Sequence, residues 1–551
     1  MASVSEVLYP IIDHPKLSTS FKGLRHSISS PEQQVWQFRG IKYGNVSARF
    51  QQSTLNEAFL PSVYDATTYG PKCPQPQFPL RVEDGLIALP PGIATHSEDI
   101  FDEFNCLNLN ITAPAGANES SNLPVLIYIH GGGGFSGSNG DWWCDGGSIV
   151  KRSMEIGRPV IAIAINYRLS ILGYIGSDEL GKEYGKENNG NQGLRDTHLA
   201  INWVHRNIGP FGGSSHNMTI YGESHGSALV DLLLRTSLPL PIARAITQSG
   251  QSNTSISTPK SLTEHDALYT GLKQHLSMSA LSELQAVPYT DLLDAYTKTD
   301  SAAGLRPSFL VDGYFFTEDW RESSFKGPVM IGNTGAEDCV LESVCAFYPR
   351  QTPPPTLSTL VATLTSILGA PTLNSILTAY SISEQTEKGE MLDKILKLVA
   401  DIMFCKPAYD HALQWRKQGN EVQQYIFEQK QPFGGIYQGK AAHSLDLAYL
   451  HGNPEIFSGT TDPEGEIKMQ RAMQDAWVRF AHGEEGWGKS GLVRRFGPGE
   501  VVDESVETVL KKWNRGDAWK SLEGLDGEQL AALVGLSALF VGGFIGFETP
   551  S

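Results

Sequence analysis

The chain has 551 residues, 40% of them apolar and only 19% charged, which excludes a disordered chain and a charge-rich coiled coil. Lys and Arg number 43 against 60 Asp and Glu, a net charge of -17, so the chain repels phosphate backbones and nucleic acid is excluded as a partner. Six cysteines in this length do not make a disulfide scaffold.

In chain order, Met1–Pro10 has neither a basic segment nor a long apolar one, so no secretory signal is read and the chain is expected in the cytoplasm. Proline-rich Pro71–Pro91 reads as a surface excursion. Val125–Ile129 is an apolar, β-branched run of the kind that makes a buried strand, and His130-Gly131-Gly132-Gly133-Gly134-Phe135 follows it directly. Val160–Asn166 is a second strand, and Gly193–Arg206 has helical spacing. Met218–Tyr221 is a third strand; Gly222-Glu223-Ser224-His225-Gly226 and then helix-like Ser227–Arg235 come after it. Ala243–Gln248 and Pro328–Ile331 are further strands, the latter running into Gly332–Asp338. Pro353–Pro371 reads as another surface excursion. Val422–Phe427 is a sixth strand, ahead of Ala441–Leu447, and Gln470–Ala481 is helical.

Continuous apolar strands alternating with helices predict an α/β fold with a large, mostly parallel central sheet covered by helices on both faces. Residues 1–528 read as a single domain. Gln529–Phe547 is a 19-residue run without charge, long enough as a helix to cross a bilayer core of about 30 Å. It reads either as a terminal helix packed on the domain or as a membrane segment, so membrane attachment through 529–547 is the alternative to a cytoplasmic chain.

The chemistry is carried by two glycine-rich turns. Gly222–Gly226 fits G-x-S-x-G between a strand and a helix, a turn that lifts Ser224 Oγ into a site. The His130–Phe135 run lets backbone N–H groups face a developing oxyanion with no side chain in the way. No Lys-Ser/Thr follows it, which argues against a phosphate loop. A serine nucleophile needs a base, and the base needs an orienting carboxylate. His443, late in the chain and in a loop after a strand, is favoured as base over His411, His451 and His482. Glu337 and Asp338, both just beyond Pro328–Ile331, remain open as the acid. No metal-ligand spacing and no cofactor motif appears, so neither a metal nor a cofactor is expected.

Phe38-Arg39-Gly40-Ile41-Lys42-Tyr43 with Arg49-Phe50, Ser97-Glu98-Asp99, Cys106-Leu107-Asn108-Leu109-Asn110, Asn166-Tyr167-Arg168-Leu169, Gly190–Asp196 and Phe211-Gly212-Gly213 lead into Ser224. In this order they resemble the type-B carboxylesterase, or cholinesterase-like, family of α/β-hydrolases, and the likeness spans nearly the whole chain. It implies an α/β-hydrolase fold and a serine esterase with Ser224 as nucleophile, Glu337 as acid and His443 as base. It further implies an oxyanion hole from the N–H groups of Gly132, Gly133 and His225, and it matches Cys73 and Cys106 to a bridge found in secreted members, the alternative in a cytosolic chain being two reduced thiols. Four departures stand out: Gly134 where relatives often carry Phe, His225 in place of a small residue, Asp338 in place of glycine, and an insertion at Ile100–Asn105. The expected reaction is hydrolysis of a small ester, apolar or aromatic, through an acyl-enzyme. A transacylase or thioesterase with the same triad is the alternative, and a non-catalytic binding module a more distant one.

Overall fold

Eleven strands form one sheet: β1 (Leu24–Arg25), β2 (Val35–Lys42), β3 (Asn108–Pro114), β4 (Leu123–Ile129), β5 (Ile161–Ile165), β6 (Gly213–Glu223), β7 (Arg244–Gln248), β8 (Val329–Thr334), β9 (Val422–Phe427), β10 (Leu492–Phe496) and β11 (Val501–Ser505). The structure is a computed structural model that describes residues 8–59, 62–76, 81–93, 96–252, 259–303, 308–347, 356–487 and 491–545. Across the sheet the order is β11-β10-β9-β8-β7-β6-β4-β5-β3-β2-β1. The run from β10 to β5 is parallel throughout. Antiparallel strands close it at both ends. All six strands expected from apolar runs are present.

Parallel strands need crossovers, and the helices that supply them cover both faces. Side chains alternate along a strand. Ile127, Ile129, Ile163 and Ile165 therefore point to one face, packing with Trp203 of helix α2 (Gln192–Asn207) and Leu229 of α3 (His225–Leu233). Leu126, Tyr128, Ala162 and Ala164 point to the other, with Ile149 of α1 (Gly147–Glu155) and Trp477 of α7 (Pro463–Ala481).

A third apolar body lies beyond the sheet. Helices α4 (Leu357–Leu368), α5 (Ala370–Ala379), α6 (Lys388–Ala400) and α8 (Gly527–Ile545) bury Leu364, Ile376, Val399 and Phe540 together. The expected surface excursion at Pro353–Pro371 is thus corrected where it is described. Thr356 caps α4 by accepting the Thr359 N–H, and Pro371 sits in the first turn of α5, where a missing N–H costs nothing. Residues 353–355 of that stretch lie outside the described residues. The apolar tail, apart from 546 and 547, which also lie outside them, is a packed helix with Leu533, Phe540 and Val541 buried. No helix among the described residues is long and apolar enough to cross a membrane.

Cys73 and Cys106 lie beside each other with no bridge between them. Both are buried free thiols, with Cys73 Sγ 3.9 Å from the Cys106 carbonyl oxygen. The inserted residues before Cys106 form a turn in which Asp102 accepts the Phe104 and Asn105 N–H groups, and Glu103 pairs with buried Arg49 at 2.8 Å.

Candidate active site

Ser224 stands between β6 and α3 with φ 56° and ψ −123°, a conformation that costs energy for a residue with a Cβ. It is held there by its N–H, which donates to Gln248 O of β7 at 2.8 Å. The flanking glycines are sterically required. A Cβ on Gly222 would fall 2.5 Å from the Gly226 backbone, and one on Gly226 only 2.0 Å from Ile129 O.

The glycine loop leaves the end of β4 and lies on this turn. Gly132, Gly133 and Gly134 have φ of 92°, 64° and 76°, the left-handed region that favours glycine. A Cβ on Gly131 would come within 3.0 Å of Ser224 Cβ. Behind the loop, His130 stacks on Tyr167 at 4.5 Å between centroids, and the Tyr167 hydroxyl donates to His130 O at 2.8 Å. His225, as the first residue of α3, presents an N–H that the helix cannot use. The N–H groups of Gly132, Gly133 and His225 lie in the segments that meet at Ser224.

Glu337 follows β8 and is 1% exposed. Its Oε1 accepts from the Thr334 N–H and the Ser249 hydroxyl, each at 2.7 Å, and its Oε2 bonds His443 Nδ1. Asp338 instead opens the next helix, 4.0 Å from Lys440, so the two adjacent carboxylates face different ways. His443 sits in the loop after β9, which is tied to the acid loop by the Ala336 N–H donating to Ala441 O at 2.9 Å. Phe404, on a π-helical turn Asp401–Cys405, lies against its ring at 4.9 Å. The rival histidines are placed elsewhere. His411 pairs with Asp231 at 3.2 Å, His451 contacts the Tyr221 hydroxyl at 2.9 Å, and His482 meets Pro159 O at 3.2 Å.

Three carboxyl groups around His443 were not singled out from the sequence. Glu223 Oε1 lies 3.1 Å from His443 Nε2 and accepts the Ser444 hydroxyl at 2.8 Å. Burial, with Asp446 and Glu83 adding to it, pushes Glu223 up to about 8. Burial likewise raises Glu83 to about 7 and Asp446 to about 6. For His443 burial acts downward, but Glu223 and Glu337 outweigh it and hold the imidazole at about 9. Nε2 itself has no hydrogen-bond partner among the described residues, Ser224 included. The one available signal was Glu223 itself, in an x position of the serine pentapeptide.

The profile of the Carboxylesterase family matches residues 16–515. Lipase 1 of Yarrowia lipolytica is 28% identical, over 94% of this chain and 97% of its own. The inactive carboxylesterase-like protein VdtD of Byssochlamys spectabilis is 27% identical, over 82% of this chain and 80% of its own. Among solved structures, a PNB esterase superposes with a TM-score of 0.71 at 23% identity, covering 91% of this chain and 99% of its own.

Proposed function

The chain belongs to the carboxylesterase family, and on that premise we propose that Ser224, His443 and Glu337 divide the hydrolysis of a carboxylic ester among them. Ser224 Oγ attacks the ester carbonyl while His443 Nε2 takes its proton. Glu337 Oε2 holds Nδ1 and stabilises the imidazolium that forms. The N–H groups of Gly132, Gly133 and His225 receive the oxyanion. Collapse of the tetrahedral intermediate expels the alcohol, protonated by His443, and leaves an acyl-enzyme; a water then repeats the two steps and frees the acid.

The observation that carries this reading is the buried Glu337–His443 contact, whose free Nε2 stands beside the residue that precedes the strained serine. In free enzymes such nucleophile–base bonds often close only when substrate is bound. An apolar ester suits this site, since Phe404 lies against the His443 ring and the Phe135 ring against Gly133 of the loop.

Ser224→Ala should abolish turnover of a short p-nitrophenyl ester, and a fluorophosphonate should label the wild-type chain but not the variant. Turnover by the variant refutes the nucleophile. A wild-type chain that neither turns over nor labels would instead place it with inactive relatives such as VdtD.

A further inference from the structure

An oxyanion hole works only if its donors are fixed before the charge develops, yet its loop here is four successive glycines, the residue with most conformational freedom to lose. His130 supports that loop from one side. The other side is closed by a side chain that the catalytic reading leaves idle, the imidazole of His225.

A Cβ on Gly134 would fall 2.8 Å from His225 Nε2 and 2.9 Å from its Cε1, so the ring fills the space a side chain at 134 would take. Nε2 lies 2.9 Å from the Tyr174 hydroxyl, with the two rings edge to face at 5.6 Å. Tyr174 ends the short helix Ser170–Tyr174, and the Ser170 N–H donates to Gly134 O at 2.7 Å. The contacts close a circuit from Gly134 through Ser170 and Tyr174 to His225 and back to Gly134. Among the described residues His225 Nδ1 has no hydrogen-bond partner, and Tyr174 is the ring's one polar tether. Burial, with His130 adding to it, lowers His225 to about 4, and burial raises the Tyr174 phenol. The link is therefore a neutral hydrogen bond, and at neutral pH the ring is too weak a base to compete with His443.

We propose that the His225 imidazole, tethered to Tyr174, is a positioning residue that sets the placement of the Gly132 and Gly133 amides, acting through the glycine loop. The inference rests on the assignment of those amides to the oxyanion. It separates two roles of one residue, the main-chain N–H that binds charge and the side chain that holds its neighbours in place.

His225→Ala keeps the main-chain donor and empties the space over Gly134. The kcat for a p-nitrophenyl ester should fall about 10- to 100-fold, with KM changed by less than about threefold. Affinity for a boronic acid that forms a tetrahedral adduct on Ser224 should fall by the same factor as kcat/KM. Tyr174→Phe keeps the ring shape, removes only the tether, and should lose about 3- to 10-fold in the same two readouts; it decides alone if His225→Ala does not fold. Wild-type kcat and boronate affinity in both variants overturn the inference. So does a raised KM at unchanged kcat, which would make the imidazole a substrate contact. Fluorophosphonate labelling of Ser224 in the same samples tells failure of this inference from failure of the triad.

Discussion

Replacing Glu223 with Gln tests whether the carboxyl beside Nε2 sets the basicity of His443. Oε1 and Nε2 are 3.1 Å apart and both groups are buried. At an effective dielectric of about 20, a full charge at that distance is worth about 5 kcal/mol to the imidazolium, close to four pK units. Less than this is realised, because burial opposes it and because Glu223, itself raised to about 8, is only partly ionised near neutrality. The net result holds His443 at about 9. Two groups this close titrate as a unit. His443 accepts the Ser224 proton only when Nε2 is free of its own, so kcat/KM should climb from pH 7 toward 9. Gln keeps an oxygen to accept the Ser444 hydroxyl and removes the charge. The imidazolium is then left with Glu337 and, further off, Asp446; its pKa falls, and the climbing limb should move down by at least about one unit. The assay is kcat/KM for an uncharged ester across pH 5 to 10 at constant ionic strength. A limb that stays in place or moves upward refutes the reasoning.

Gly131→Ala adds a Cβ 2.8 Å from Glu223 O and 3.0 Å from Ser224 Cβ, so kcat should fall at least about 100-fold and the unfolding midpoint should drop with it, by about 1–3 kcal/mol of stability; unchanged kcat in a folded variant contradicts the close approach of loop and nucleophile. Ending the chain at Asp526 removes Leu533, Phe540 and Val541 from the α4–α6 body, at about 1.5–3 kcal/mol each. Differential scanning calorimetry should show a lower Tm, and an unchanged Tm refutes a packed tail.

The parts of the fold that could be read in advance are those whose burial is two-sided. Ile161–Ile165 is buried at all five positions, so it appears in the sequence as an apolar run and announces a parallel strand. The sheet's ends give no such signal. Val501–Ser505 alternates exposed and half-buried residues and spells VVDES, while β2 is broken by a register shift between Phe38 and Ile41 with Gly40 at φ 63°. The prolines after 352 misled for another reason. Pro371 starts a helix, and proline is a good first-turn residue as well as a loop residue, so composition alone does not separate the two uses.

Ser224 and the Glu337–Asp338 pair could be picked out because they lie just past the ends of β6 and β8; the choice of Glu337 comes from the family resemblance, and that of His443 from its late place in the chain, in the loop well beyond β9. What tunes them could not be picked out, since it depends on which segments meet in space. Glu83, Asp446 and Glu223 come from three distant stretches and converge on one imidazole. The pentapeptide shows the division most clearly. A strand-to-helix turn throws the residues before and after the serine to different sides of it: Glu223 reaches His443 Nε2, and His225 reaches Gly134 and Tyr174. The two x positions that the motif leaves free therefore act on separate halves of the reaction, one on the proton that leaves Ser224 and the other on the negative charge that its attack creates. Variants at 223 should consequently move the pH profile and leave boronate affinity at its optimum nearly intact, while variants at 225 should do the reverse.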